Sequence, residues 1–115
     1  MGHVRHLIAA FRYSLQGIAS AFRSETAFRQ EIAVLVAVAP ASLALFPPAA
    51  AVVLIAAWVF VMVAELLNMA VESVCNLVSK EIHPLIKKAK DAASAAVLTA
   101  IIANGLLWVA AFLLL

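Results

Sequence analysis

The second apolar stretch of the chain carries a row of polar side chains on one face. On a helical wheel they share an arc of about 80° and comprise Glu65, Asn68, Glu72, Asn76 and Ser79. Carboxylate and amide oxygens suit magnesium and phosphate chemistry, and ionisable groups in a membrane are functional candidates by default. This polar stripe runs from just beneath the membrane surface into water. Its position favours a reaction between a lipid headgroup and a water-soluble reagent.

Further charged residues lie at the ends of the other apolar stretches. Glu25 and Glu31 flank Arg29 before the first stretch, and Lys90 and Asp91 precede the third. If these ends meet, three or four carboxylates converge, and such a group can hold magnesium together with phosphates. A lysine beside them can bind phosphate oxygens as a point charge. The alternative for the polar stripe is a structural seam of interhelical hydrogen bonds.

The familiar nucleotide-binding loops are excluded by the glycine content. Gly2, Gly17 and Gly105 are the three glycines, and they lie too far apart for a Walker or Rossmann motif. The histidines and the lone cysteine show no zinc-site spacing either. A nucleotide would therefore be held by carboxylates, a metal ion and basic residues at helix ends.

The composition defines the class of protein that positions these residues. The chain has 115 residues, of which 67% are hydrophobic and 12% charged. Soluble domains have about 45–50% apolar and about 25% charged residues, and a chain this short cannot bury so much apolar surface in water. We therefore predict an all-α membrane protein with a single membrane domain over residues 1–115.

Three stretches are predicted to cross the membrane, at about residues 27–46, 49–79 and 91–115. Pro47 and Pro48 separate the first two, because neither proline can continue a helix. Before them, residues of about 3–23 form an amphipathic helix with an apolar arc, which includes Phe11 and Leu15. We expect this helix to lie in the membrane plane. Packing of its apolar arc on the same protein is the alternative.

The basic residues predict the orientation of the spans. Four of the eight Lys and Arg residues lie before the first span or at its start, and four lie between the second and third: Arg5, Arg12, Arg23, Arg29, Lys80, Lys87, Lys88 and Lys90. The positive-inside rule then places the N-terminus and a loop at 79–91 in the cytoplasm. The chain is predicted to be a multi-pass protein whose C-terminus lies on the opposite face.

Three motifs in this order resemble the prokaryotic integral-membrane diacylglycerol kinase family. They are Glu25-Thr-Ala-Phe-Arg-Gln-Glu31, Glu65-Leu-Leu-Asn68 followed by Glu72, and Ala89-Lys90-Asp91 followed by Ser94. The resemblance covers nearly the whole chain. It implies an ATP- and Mg²⁺-dependent lipid kinase that makes phosphatidic acid from diacylglycerol. It also implies a homotrimer in the bacterial inner membrane, with active sites shared between subunits and no nucleic-acid partner.

The resemblance also implies a role for each matching residue. Glu65 matches the general base, and Glu25 and Glu72 match the carboxylates that hold the metal and the nucleotide. Further ATP contacts are implied for Tyr13, Glu81, His83, Lys90 and Asp91. Lipid-substrate contacts, besides those of Glu65, are implied for Glu31, Asn68 and Ser94.

Two departures leave the lipid substrate open. Asn76 stands where the family usually has Asp, which weakens a metal-binding role for this position. The segment from His83 to Asp91 looks closer to the undecaprenol kinase subgroup, whereas the segment from Glu25 to Glu31 looks closer to diacylglycerol kinases. Undecaprenol kinase is thus one alternative. A small proton-coupled transporter subunit, with Glu65 and Glu72 as relay groups, or a membrane scaffold are alternatives of another class.

Overall fold

The computed structural model describes residues 2–115, which form four helices joined by short connections. They are α1 (Gly2–Ser24), α2 (Thr26–Leu45), α3 (Pro48–Val78) and α4 (Pro84–Leu114). The described residues contain no β-strand. By length and composition, α2, α3 and α4 can each cross a membrane. The predicted all-α fold, with three membrane-spanning helices after an N-terminal helix, is therefore confirmed.

Prolines mark where the two longest helices begin. Pro48 and Pro84 both occupy the first turn of their helices, where a missing N–H costs nothing. Each of these helices has 31 residues, a length of about 46 Å, whereas the hydrocarbon core is about 30 Å thick. Both helices therefore extend beyond the hydrocarbon, and the polar stripe lies on the second half of α3.

The connection between α3 and α4 is shorter than the sequence predicts. The expected loop at 79–91 is wrong, because α4 begins at Pro84 and residues 79–83 alone are non-helical. The His83 ring caps the new helix, with Nδ1 accepting a hydrogen bond of 3.1 Å from the Leu85 backbone N–H. An i,i+4 ion pair between Lys87 and Asp91 supports the first turns. The charged residues from Lys87 to Asp91 therefore lie on a helix, and Lys80 and Glu81 lie in the connection.

The three long helices form an open layer with α3 in the middle. Helix α3 packs against both α2 and α4, whereas α2 and α4 do not pack against each other among the described residues. The molecule measures 48 × 45 × 23 Å, and its radius of gyration of 17.2 Å exceeds the value of about 13 Å for a compact domain of this length. Much of the surface of each span is therefore open to lipid or to other chains.

Helix α1 contacts the rest of the chain near its C-terminal end. Ala21 is buried, whereas apolar residues of the arc such as Phe11 and Leu15 are exposed. The Arg29 guanidinium of α2 donates hydrogen bonds to the carbonyl oxygens of Phe22 (2.7 Å) and Arg23 (3.1 Å). The apolar arc thus does not pack on the same chain, and its exposure suits a helix lying in a membrane surface.

Candidate functional site

Two buried carboxylates mark the membrane end of the candidate site. Glu31 of α2 and Glu65 of α3 are each 7% exposed, and their carboxyl groups lie next to each other. Both line a cavity of about 350 Å³ between α2, α3 and α4, whose apolar wall on α4 includes Val97 and Ile101. Oxygen Oε1 of Glu31 is buried without a hydrogen-bond partner. A buried acceptor of this kind is ready to bind a donor such as a lipid hydroxyl.

The next turns of α3 carry a second pair of polar residues. The Asn68 side-chain amide donates a long hydrogen bond of 3.5 Å to Glu72, and Oδ1 of Asn68 is buried without a partner. Glu72 and Glu25 are half-buried, and both lie close enough to Glu65 to interact with it electrostatically. The structure therefore brings together the carboxylates that the sequence predicted to converge, including Glu31.

This set of oxygens fits a magnesium ion carried with phosphates. Within residues 2–115 no three Asp, Glu, His or Cys side chains form a metal-binding group by themselves. Magnesium, however, commonly takes one or two protein carboxylates and completes its shell with water and substrate phosphates. Glu25 and Glu72 can supply the carboxylates, and the unpartnered Asn68 oxygen lies beside Glu72. These residues can therefore hold the ion only together with a ligand that supplies further oxygen atoms.

A second cavity lies at the connection between α3 and α4. It has a volume of about 270 Å³ and is lined by four residues expected to contact ATP, together with two further lysines: Glu81, His83, Lys90, Asp91, Lys80 and Lys87. The sequence did not predict the two lysines as site residues, although they belong to the same basic segment. Lys87 is paired with Asp91. The remaining ammonium groups give this cavity the positive charge that phosphates require.

A side-chain hydrogen bond joins α4 to the polar stripe of α3 beside the second cavity. Lys90 of α4 donates a hydrogen bond of 2.8 Å to Oδ1 of Asn76 on α3. Asn76 lies one turn beyond Glu72 on the polar stripe, so the Lys90 ammonium group is held at the stripe, next to the turn that carries Glu72. The departure noted at position 76 therefore has a structural role in this chain.

Five predicted site residues line neither cavity within one chain: Tyr13, Glu25, Asn68, Glu72 and Ser94. Tyr13 is an exposed residue of α1, next to which the Arg12 guanidinium lies 5.9 Å from the ring centroid. Among the described residues α1 does not contact α4, so Tyr13 remains apart from Lys90. Ser94 is exposed on α4, one turn beyond Asp91.

Sequence reasoning missed two polar contacts inside the membrane. The Trp58 indole N–H donates to the backbone oxygen of Glu31 at 2.8 Å, and Trp58 lines the same cavity as Glu65. The buried Asn104 amide donates to the backbone oxygen of Ala57 at 2.9 Å. The spacing of seven residues between Trp58 and Glu65 was the available signal for the first contact, because it places both on one helix face.

Comparison with known proteins assigns this arrangement to a family. The sequence profile described as "Prokaryotic diacylglycerol kinase" matches residues 12–112. The chain is 41% identical over 104 residues to the diacylglycerol kinase of Haemophilus influenzae, covering 90% of this chain and 88% of that protein. It is 43% identical over 103 residues to that of Escherichia coli K12, covering 89% and 84%. For the Pseudomonas aeruginosa enzyme the identity is 37% over 106 residues, covering 91% and 86%. This protein therefore belongs to the prokaryotic diacylglycerol kinase family of membrane-embedded lipid kinases.

Proposed function

We propose that this protein transfers the γ-phosphoryl group of ATP to the free hydroxyl of diacylglycerol, which yields phosphatidic acid and ADP. The observation that supports it is the continuity of the site. Along α3, polar side chains run from Glu65 through Asn68 and Glu72 to Asn76. Asn76 accepts a hydrogen bond from Lys90, which lines the second cavity. A lipid hydroxyl can reach the first cavity from the bilayer, and a nucleotide can reach the second from water.

Glu65 is the proposed general base. Its carboxylate takes the proton of the lipid hydroxyl as the hydroxyl oxygen bonds to the γ-phosphorus and the bond from phosphorus to ADP breaks. Glu31, whose carboxyl group lies next to Glu65, orients the hydroxyl through its unpartnered oxygen. Because phosphoryl transfer needs mainly alignment and charge stabilisation, the other groups act on the triphosphate.

Glu25, Glu72 and Asn68 would hold Mg²⁺, which neutralises phosphate charge when it is bound with ATP. Lys90, held by Asn76, binds phosphate oxygens beside them. Glu81, His83 and Asp91 contact the remainder of the nucleotide, since they line the same cavity as Lys90. Ser94 and Asn68 are the proposed contacts to the lipid.

We further propose that the working form is a homotrimer in the bacterial inner membrane with a cytoplasmic N-terminus. The open layer of spans leaves extensive faces for other copies, and Tyr13 can meet a nucleotide only at a site shared with another chain. The orientation is supported by the basic residues, which all lie before α2, in its first turn, or between residues 80 and 90.

Transfer of radiolabel from ATP tests the proposal directly. Purified protein in bilayer discs is offered diacylglycerol and undecaprenol in competition, with and without magnesium. We expect label mainly in phosphatidic acid and none when magnesium is chelated. A control variant, Ser73→Ala, changes an exposed residue of α3 whose hydroxyl only bonds the Met69 carbonyl, and it should behave as the parent. Label mainly in undecaprenyl phosphate would assign the other substrate, and label in neither lipid would overturn the proposal.

A further inference from the structure

Trp58 occupies a defined place in the membrane cavity. It lies seven residues before Glu65 on α3, which is two helical turns, or about 10 Å, toward the opposite membrane face. Because the two residues share a helix face, Trp58 lies beneath the carboxylate and contributes to the cavity wall. A hydrocarbon chain that runs from Glu65 along this face of α3 toward the middle of the bilayer therefore passes the indole ring.

A hydrogen bond fixes the ring in this place. The indole N–H donates to the Glu31 backbone oxygen at 2.8 Å, so the ring bridges α3 to α2. In hydrocarbon an indole N–H without an acceptor is costly, and this bond therefore opposes rotation of the side chain away from α2. The bond also joins the ring to the backbone of the residue whose carboxyl group lies next to Glu65. The position of the Trp58 ring is thus coupled to the position of the Glu31 carboxyl group.

Apart from Gln30, which precedes Glu31 on α2, the remaining wall of the cavity is apolar. Val34 faces it from α2, and Val97 and Ile101 face it from α4. A passage with carboxylates at one end and aliphatic walls below suits one hydrocarbon chain attached to a hydroxyl-bearing headgroup. The planar indole is the bulkiest side chain in this wall, and so it determines which chains can pass.

We propose that Trp58 is a specificity-determining residue, whose fixed ring admits unbranched acyl chains and disfavours methyl-branched polyprenyl chains. This inference rests on the lipid kinase activity proposed above. An acyl chain can follow a flat wall by rotating about its single bonds. A polyprenyl chain carries a methyl group and a rigid double bond in every unit, and it needs more width. Trp58 therefore discriminates between diacylglycerol and undecaprenol, the two substrates that the sequence motifs left open.

Competition between the two lipids tests this role. Trp58→Val removes the indole ring and widens the cavity. The ratio of undecaprenol to diacylglycerol phosphorylation should then rise about tenfold, which is a typical effect of removing hydrocarbon from a pocket wall. Trp58→Phe keeps a flat ring without the N–H. It should keep the parental ratio but raise the KM for diacylglycerol about threefold to tenfold, because the bond to the Glu31 carbonyl is lost. Trp108→Val is the matched control, since Trp108 packs on Phe46 and Phe112 outside the cavity. It should leave the ratio unchanged.

Fluorescence supplies a readout that does not depend on turnover. Trp58 and Trp108 are the two tryptophans, so Trp108→Phe leaves Trp58 as the reporter. Diacylglycerol with brominated acyl chains should quench Trp58 more strongly than brominated phosphatidylcholine at the same mole fraction. Equal quenching by both lipids, or an unchanged ratio in Trp58→Val, would overturn the role of Trp58 while the kinase activity stands. Failure of the parent protein to label either lipid would instead overturn the proposed function, and this inference with it.

Discussion

The two ends of the helical layer differ in the contacts that their buried side chains make. At the end of α4, Phe46, Trp108 and Phe112 form edge-to-face and tilted aromatic contacts with ring centroids 5.2–6.0 Å apart, next to the buried Leu54 and Ala111. At the other end, Glu31 and Asn68 each leave a buried oxygen without a partner. The aromatic end is stabilised by its own contacts, whereas the carboxylate end leaves acceptors for a ligand. Asn104, whose Oδ1 is also buried without a partner, lies between the two ends. Stability and chemistry therefore lie at separate ends of the same three helices.

The largest expected effect is at Glu65. Replacing it with Gln keeps the shape of the side chain but removes its ability to accept a proton, and a general base contributes a factor of about 10²–10⁴ in rate. Turnover at saturating ATP should fall by about this factor, while binding of a nonhydrolysable ATP analogue, measured by calorimetry, stays intact. Lost nucleotide binding with normal turnover would reverse the assignments of Glu65 and Glu72.

Replacing the carboxylates proposed to hold magnesium should have a smaller effect, which appears in the affinity for MgATP. Glu72→Gln and Glu25→Gln each remove one anionic magnesium ligand with little change in shape. The apparent affinity for MgATP should weaken about tenfold, the loss expected for one charged interaction. Magnesium titrations of initial rate check this, with Ser73→Ala as the control. A variant with the parental titration curve would remove that residue from the metal site.

At the aromatic end the expected change is in stability. Phe46→Ala removes the ring that contacts both Trp108 and Phe112, and aromatic pairs contribute about 0.5–1.5 kcal/mol each. The thermal unfolding midpoint in detergent should fall, while the turnover of folded protein at low temperature stays parental. If turnover fell as steeply as it does for Glu65→Gln, the separation between the two ends would be refuted.

The smallest expected effect is at Asn76. Asn76→Ala removes the 2.8 Å hydrogen bond from Lys90, and the KM for ATP should rise about twofold to tenfold, the range for one hydrogen bond. Asn76→Asp retains an acceptor and should restore the parental KM. Equal behaviour of the Ala and Asp variants in steady-state kinetics would show that Asn76 does not position Lys90.

The sequence predicted those features that depend on local periodicity. The four helices, the three spans and the shared face of Glu65, Asn68 and Glu72 all follow from the spacing of apolar and polar residues. The loop at 79–91 was wrong, because a cap by His83 and the Lys87–Asp91 pair begin the helix at Pro84, within a charged segment. Charge in a segment therefore does not distinguish a loop from the exposed end of a helix.

The contacts between helices could not be predicted in this way. The hydrogen bonds from Trp58 to the Glu31 carbonyl and from Lys90 to Asn76 depend on how far one helix is shifted along another. No pattern within a single helix specifies that shift. The convergence of the carboxylates could be expected from their common side of the membrane, but the volume and walls of the cavity could not.

The contact between Asn104 and Ala57 has a mechanical consequence. It joins α3 and α4 near the middle of the bilayer, and the Lys90–Asn76 bond joins them again near the surface. The Asn104 amide also donates to the Ala100 carbonyl of its own helix at 3.0 Å, but inside hydrocarbon no water can replace the acceptor on α3, so sliding of one helix against the other is resisted. When a force probe pulls the chain from its C-terminus, we expect α3 and α4 to leave the membrane as one hairpin in a single step.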